Sequence, residues 1–124
     1  MGSIETTYDL ARDLTIVKAT GKMKPDDFQE WTAEYYKGKV TSLCIWDLTQ
    51  ADLSALKTND LIDDAKQTKS LSSVRKGGKT AIVTGHSLAY GLSRMLEVYY
   101  DIENVPFEVQ VFDAMDKAEK WLSV

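Results

Sequence analysis

The sequence predicts one α/β domain over residues 1–124, built on a mixed sheet of four or five strands with about four helices. The predicted order is β-β-α-β-α-β-α-β-α. Two observations predict this class: short apolar runs alternate with stretches whose apolar residues recur at helical spacing, and two β-rich segments precede the first helix. A third is composition, because 124 residues with 44% hydrophobic and 27% charged residues are typical of one globular domain. Helices between successive strands favour parallel pairing, so only the opening pair is expected to be antiparallel.

The first two strands are predicted over 6–10 and 14–20, joined by a turn at 11–13 that lacks glycine. Pro25 marks the start of the first helix, since proline at the first helical position loses no N–H that the helix needs. Gly38 suits the end of that helix. Its apolar stripe consists of Phe28, Trp31, Thr32 and Tyr35.

The middle of the chain predicts a buried strand over 43–46, a helix over 58–68 and a second buried strand over 80–83. The polar and basic segment 70–78 is interpreted as a solvated loop. It leads into Gly78-Lys79-Thr80, but this sequence precedes a strand, so it does not form a phosphate-binding loop. The inward residues of the helix are predicted to be Leu61, Ile62 and Ala65.

In the last third, Gly85 ends a strand and a helix begins near Ser87. The final strand is predicted over 107–112, and Asp113 is interpreted as the N-cap of a last helix. The apolar positions of the first of these helices are Leu88, Gly91, Leu92, Met95, Leu96 and Tyr99. Those of the second are Met115, Ala118, Trp121 and Leu122.

Composition excludes several function classes. The net charge of −4 gives no general attraction to nucleic acid or to anionic lipid. One histidine and one cysteine cannot build a disulfide framework or the usual zinc cage, and no cofactor motif or metal site is predicted. The apolar runs are far shorter than the ~20 residues of a membrane span, so no membrane insertion is expected. Because no secretory signal is visible, we expect a cytoplasmic protein.

Three parts of the chain resemble a known family. They are Ala19-Thr20-Gly21-Lys22-Met23, the strand at 79–83 with Tyr90-Gly91-Leu92-Ser93-Arg94-Met95, and the ending at 109–122. In pattern and order they resemble the bacterial SpoIIAA-like group, which is related to STAS and SEC14-type domains. The resemblance implies a mixed sheet of four or five strands, in agreement with the residue pattern, and a regulatory protein of anti-sigma-antagonist type.

The resemblance also implies a phosphorylation turn, Asp-Ser-Ser-Gly, after the central strand. This chain instead continues from Asp47 through 51–58 without such a turn. By analogy, Ser54 or Thr58 is a candidate phosphosite. Either would let a kinase switch a protein interaction electrostatically.

Gly85-His86-Ser87-Leu88-Ala89 is similar to the nucleophile elbow of serine hydrolases. The last position is alanine, and His86 is the only histidine, adjacent to the serine it would have to activate. A triad requires a base delivered from elsewhere. A hydrolase is therefore the remote alternative, and Ser87 is interpreted as a helix N-cap.

A helix N-terminus after a parallel strand is also a common place for a ligand. We therefore assign a possible binding site for a small apolar or anionic ligand to residues 85–94, contributed by His86, Ser87, Tyr90 and Arg94. Arg94 lies one turn after Tyr90 and shares its face.

Other polar and aromatic clusters have simpler interpretations. The carboxylates Asp60, Asp63 and Asp64 are interpreted as a solvated helix face, and Cys44 as a buried structural thiol. Three tyrosines fall off the predicted inward stripes and would form a partner surface if exposed: Tyr36, Tyr90 and Tyr100.

The sequence thus favours a small non-catalytic binding or regulatory module. Its partner would be a small molecule or a protein regulator, and a homo-oligomer is compatible with the pattern. A phospho-switchable interaction domain is the alternative.

Overall fold

The computed structural model describes residues 2–123. Its five strands are β1 (Ser3–Asp9), β2 (Leu14–Lys22), β3 (Leu43–Asp52), β4 (Lys79–Val83) and β5 (Glu108–Phe112). Its four helices are α1 (Pro25–Lys37), α2 (Thr58–Leu71), α3 (Ser87–Glu103) and α4 (Met115–Leu122), and short 3-10 turns occupy Leu10–Arg12 and Ser72–Arg75. The predicted α/β class and element order are confirmed.

The strands form one sheet in the order β1-β2-β3-β4-β5. β1 pairs antiparallel with β2, and the other neighbours pair parallel, as the crossover helices require. Residues of α1 and α3 pack with one face of the sheet, where α2 also lies, and α4 packs on the other face. The sheet is therefore covered by helices on both sides.

β3 extends past its predicted end at residue 46 and reaches Asp52. Its register with β2 shifts between Lys18 and Thr20, and the Asp47 Oδ1 atom accepts bonds from Thr49 N (3.0 Å) and Thr49 Oγ1 (2.6 Å) at this irregularity. Pairing with β4 ends at Asp47. The part of β3 after Asp47 is therefore not paired with β4. The segment that begins at Gly85 packs against this part of β3, close to Thr49.

The interpretation of 70–78 as a solvated loop is wrong at its centre. Helix α2 continues to Leu71, and Arg75 is only 4% exposed. Gly78 is also buried, and a Cβ atom at this position would contact the carbonyl oxygen of Ser42. The amphipathic pattern missed this packing because arginine and glycine carry no hydrophobic signal.

Two helix starts also differ from prediction. The N-cap of α3 is His86, not Ser87, and the Nδ1 atom of His86 accepts a 3.4 Å bond from Ala89 N. The N-cap of α4 is Ala114, and the side chain of Asp113 instead forms a 2.8 Å ion pair with Lys117. Each cap lies one residue from its predicted position. In α3 the polar His86 side chain takes the cap in place of Ser87, and in α4 the extended backbone of Ala114 forms the cap position without a side-chain bond.

The predicted inward stripe of α3 is partly wrong. Ala89, Ser93 and Tyr100 are its buried residues, while Leu88 and Met95 are exposed. Leu92 and Leu96, which were predicted inward, do pack against the core. Helix α3 therefore carries apolar residues on two sides. The predicted stripe was partly wrong because it included residues of both, the packed Leu92 and Leu96 and the exposed Leu88 and Met95.

Candidate functional site

A cavity of about 100 Å³ lies between the sheet and the three helices that cover its first face. α1, α2 and α3 each contribute wall residues, and β3 and β4 form the floor. Most of the wall is apolar; six of the contributing residues are Phe28, Trp31, Trp46, Leu61, Ile82 and Leu92. Of the 85–94 segment that the sequence predicted as a ligand site, only Leu92 and Ser93 line this cavity, and none of the four predicted ligand residues does.

One side of the cavity is an aromatic wall. The ring of Trp31 packs edge-on against Trp46 at 4.8 Å and stacks on Tyr35 at 4.7 Å, while Phe28 lies 5.5 Å from Trp46. Trp31 Nε1 donates a 2.9 Å bond to Thr6 Oγ1, which fixes the indole against β1. The predicted apolar stripe of α1 therefore faces inward, and it forms a rigid wall for the cavity.

The cavity has a polar end, formed by α2 and α3. Tyr100 OH donates a 2.6 Å bond to Asp64 Oδ2, and Thr68 Oγ1 lies 3.4 Å from the same hydroxyl. Burial raises the pKa of Asp64 to about 6, although the bond from Tyr100 opposes the rise. Burial, followed by the nearby Asp64 carboxyl, raises the pKa of Tyr100 well above its usual value. The interpretation of Asp64 as part of a solvated acidic face is therefore wrong.

Arg75 lies at the same end and is held by the backbone. Its guanidinium donates to the carbonyl oxygens of Thr41 (3.0 Å), Ser42 (2.9 Å) and Lys79 (2.9 Å) and to Thr80 Oγ1 (2.8 Å). It also stacks over the Phe107 ring at 4.4 Å. Among residues 2–123 no carboxylate pairs with this cation within 4.0 Å, so carbonyl dipoles balance the buried charge.

Two more titratable side chains line this cavity. Burial raises the pKa of Tyr36, and the positive charge of Arg75 opposes the rise. Burial also raises the pKa of the Cys44 thiol to about 11, which keeps it protonated and unreactive. Tyr36 is half-buried and Tyr100 is buried, so of the three tyrosines considered for a partner surface only Tyr90 is exposed.

The predicted ligand site at 85–94 is a shallow, open hollow. His86, Ser87 and Tyr90 line it together, beside the Asp113–Lys117 ion pair. Arg94 does not line the hollow but reaches it through a 3.5 Å bond to the Tyr90 hydroxyl. The structure therefore brings three of the four predicted residues into one depression and places the fourth at its rim.

The imidazole of His86 is occupied on both nitrogens. Nε2 lies 3.0 Å from the carbonyl oxygen of Ala51, which can only accept, and Nδ1 faces the N–H of Ala89. This pattern requires the neutral tautomer with its proton on Nε2. Both ring nitrogens therefore bond to backbone groups, one at the end of β3 and one in the first turn of α3.

The two candidate phosphosites occupy different surroundings. Ser54 and Thr58 are both exposed. The backbone N–H of Ser54 donates a 2.9 Å bond to Asp52 Oδ1, so this carboxylate lies against the serine. Thr58 is the first residue of α2, where the helix dipole favours added negative charge.

Residues 2–123 contain neither a metal-binding cluster nor a membrane-spanning helix. Within this range no group of three or more His, Cys, Asp or Glu side chains is placed to hold a metal ion. Nor does any helix in this range have the length and apolarity needed to cross a membrane.

A family model described as SpoIIAA-like matches residues 14–123. The chain belongs to the SpoIIAA-like family. Among curated proteins, none matches the chain.

Two solved structures show the fold of this SpoIIAA-like protein. One is an uncharacterized protein with a SpoIIAA-like fold from Shewanella loihica, with a TM-score of 0.60 and 20% identity over 98% of this chain and 93% of the other. The second is an anti-sigma factor antagonist from Mycobacterium paratuberculosis, with a TM-score of 0.57 and 11% identity over 100% of this chain and 96% of the other. At these identities the likeness establishes a SpoIIAA-like fold, which confirms the resemblance seen in the sequence.

Proposed function

We propose that this SpoIIAA-like protein is a non-catalytic regulatory module of the cytoplasm that binds a small, neutral, apolar ligand in the cavity between the sheet and α1–α3. The observation that carries the proposal is the aromatic-walled cavity itself. Well-packed interiors leave few voids larger than a water molecule. The buried, protonated thiol of Cys44 suits a reducing compartment.

Cavity size limits the ligand. An engineered apolar cavity of ~150 Å³ accepts benzene, so a space of about 100 Å³ suits a ligand no larger than one small ring or a short branched chain. A long lipid chain would require the helices to separate. The ligand class is therefore ring-sized, and the ligand would contact Trp31 and Trp46, which both line the cavity.

The polar end favours a neutral ligand over an anion. Four acceptors of the chain already take N–H groups of Arg75, and Asp64 adds negative charge nearby. An anionic ligand would lose its hydration without gaining a dedicated partner, which is costly inside a protein. One hydroxyl on the ligand could still be met by Tyr100 or Thr68.

The three tryptophans provide an experiment with an internal control. Trp31 and Trp46 line the cavity, whereas Trp121 packs on the opposite face of the sheet beside α4. We would titrate the ¹⁵N-labelled protein with benzene and, in parallel, with benzoate. Benzene should shift the indole resonances of Trp31 and Trp46 but not that of Trp121, and benzoate should shift none of them.

A matched pair of variants localises the binding. Leu92→Phe adds volume to the cavity wall and should abolish the benzene shifts, while Leu10→Phe makes the same change at an exposed turn and should keep them. If saturating benzene shifts the resonances of neither Trp31 nor Trp46, or if Leu92→Phe binds it unchanged, the proposal is wrong.

A second candidate function is a phospho-switch at Thr58. It is favoured by the exposed position of this threonine at the first turn of α2, a helix that also lines the cavity. Ser54 is less suited, because Asp52 would repel a phosphate there. Partner binding in the manner of an anti-sigma factor antagonist would be the readout of such a switch.

Mass spectrometry of the protein purified from its own cells tests this second candidate. We expect phosphate on Thr58 and none on Ser54. Loss of a co-purifying regulator in Thr58→Asp, with retention in the exposed neighbour Asn59→Asp, would support the switch. An unmodified Thr58 under every growth condition would remove it.

The hollow at His86, Ser87 and Tyr90 stays a predicted site for a small apolar or anionic ligand. Inorganic phosphate provides the direct probe. Amide shifts at Ser87 and Tyr90 that disappear in Lys117→Met would support it, and unchanged spectra would exclude it.

A further inference from the structure

Helix α3 exposes a row of small and apolar residues on the side that faces away from the sheet. The row is defined here as the outer stripe: Leu88, Gly91, Met95, Val98 and Ile102. Val98 is 55% exposed and Ile102 is 63% exposed, which is unusual for side chains of this kind. The spacing alternates between three and four residues, which is the heptad pattern of paired helices.

The outer stripe is continuous and lies opposite the buried side of α3. At 100° per residue its members fall within an arc of about 80°, and they span about 21 Å along the axis. The buried residues Ala89, Ser93 and Tyr100 occupy the other side of the helix. The sheet is thus covered by one side of α3, and the other side has no partner among residues 2–123.

We propose that the outer stripe pairs with the outer stripe of a second copy of this chain, antiparallel and around a twofold axis. In the register that places Met95 opposite Val98 of the second copy, Gly91 lies opposite Ile102. A Cβ atom at Gly91 would have no neighbour within 4 Å, so the glycine leaves an open gap. The Ile102 side chain of the second copy fits that gap.

The same register pairs opposite charges. It places Arg94 opposite Asp101 of the second copy, on one flank of the stripe, and the twofold axis forms this pair twice. Within one chain Arg94 Nε lies 3.3 Å from Glu97 Oε1 in an exposed pair, which is weak and readily exchanged. Asp101 has no ion-pair partner in residues 2–123.

On the other flank, the register brings Leu92 opposite Tyr99 of the second copy. Both side chains are half-buried against their own domain and keep an exposed part. Shape, charge and apolar surface therefore agree in one register, and this self-complementarity is what a twofold interface requires.

The size of the contact sets its strength. One helix pair of this length lies at the small end of specific interfaces, below the ~1,600 Å² of a standard complex. The dimer is therefore expected to form and dissociate with protein concentration.

Sedimentation velocity over a wide range of protein concentrations tests the dimer. The wild type should convert from monomer to dimer as concentration rises. Val98→Asp and, separately, Ile102→Asp should remain monomeric throughout, because each would bury a carboxylate between the two apolar stripes. Both positions are exposed, and an unchanged circular dichroism spectrum verifies the fold. Lys66→Glu, an exposed charge change on α2, should dimerise as the wild type does.

Charge reversal tests the register. Arg94→Asp alone and Asp101→Arg alone should each weaken the dimer about tenfold, because two attractive pairs become repulsive. The double variant Arg94→Asp, Asp101→Arg should restore wild-type affinity.

Three results would overturn the proposal. They are a wild type that stays monomeric at all concentrations, a dimer that Val98→Asp leaves intact, and a double variant no tighter than the single ones. A monomeric wild type that loses a different bound protein in Val98→Asp would assign the outer stripe to that protein instead.

Discussion

The hydroxyl of Tyr100 donates a 2.6 Å hydrogen bond to Asp64 Oδ2, and this bond joins α3 to α2 at the polar end of the cavity. Asp64 is partly buried, and the rest of its surroundings are largely apolar. A carboxyl in this position holds its proton more tightly in the folded protein than in the unfolded chain.

Asp64 should therefore make stability fall as pH rises. Burial moves its pKa from 3.8 to about 6, so the folded state binds more protons between these values. The loss of folding stability begins above pH 3.8, is complete above about pH 6, and amounts to at most about 3 kcal/mol. Asp64→Asn should remove it. Urea unfolding from about pH 4 to about pH 8 measures this slope.

Asp63→Asn is the matched control, because it makes the same change at the preceding, exposed residue. This variant should keep the wild-type slope. An Asp64→Asn protein with the wild-type slope would show that another group controls the pH dependence.

Arg75 is expected to be among the most sensitive positions outside the apolar core. Arg75→Met should lower the free energy of unfolding by about 3 kcal/mol or more, because the buried Thr41 carbonyl oxygen and the buried Thr80 Oγ1 lose a charged donor. Lys76→Met, at the exposed next residue, should change it by less than about 0.5 kcal/mol. Equal urea midpoints for the two variants would contradict the packing described for Arg75.

The cap of α3 can be tested with two adjacent alanines. His86→Ala removes both the bond to Ala89 N and the contact with the Ala51 carbonyl, and it should cost about 1 kcal/mol or more. Ser87→Ala should have little effect on thermal unfolding. A larger loss in Ser87→Ala would restore serine as the cap.

Two glycines are expected to respond in opposite directions to alanine. Gly78→Ala should destabilise the protein, because the new Cβ atom would collide with the Ser42 backbone, which cannot move aside cheaply. Gly91→Ala should stabilise dilute monomer by about 0.5–1 kcal/mol, because alanine favours the helix and the space is empty. Thermal melts of both variants measure the contrast, and a shift of the same sign in both would contradict it.

The fold was predictable from sequence because its determinants are local and periodic. Pro25 begins α1, the alternation of apolar runs and amphipathic stretches gives the element order, and crossover geometry then fixes parallel pairing. The apolar stripe of α1 was also predicted correctly, since helical spacing alone places Trp31 and Tyr35 on one side.

The cavity was not predictable, because its walls come from elements far apart in sequence. Trp46 on β3 and Leu92 on α3 meet only in the folded chain. Arg75 and Asp64 were interpreted as solvated because most charged residues are. A spacing of 36 residues hides the bond from Tyr100 to Asp64, and no single-sequence pattern signals it.

Helix α3 forms a wall of the cavity with one side and presents the outer stripe with the other. Occupation of the cavity and self-association would therefore act on the same rigid element. Thermodynamic linkage makes such an effect reciprocal: if ligand raises the dimer affinity by some factor, dimerisation raises the ligand affinity by that same factor. In a cell, the protein concentration would then change the affinity for the ligand, and α3 would respond to the concentrations of both protein and ligand.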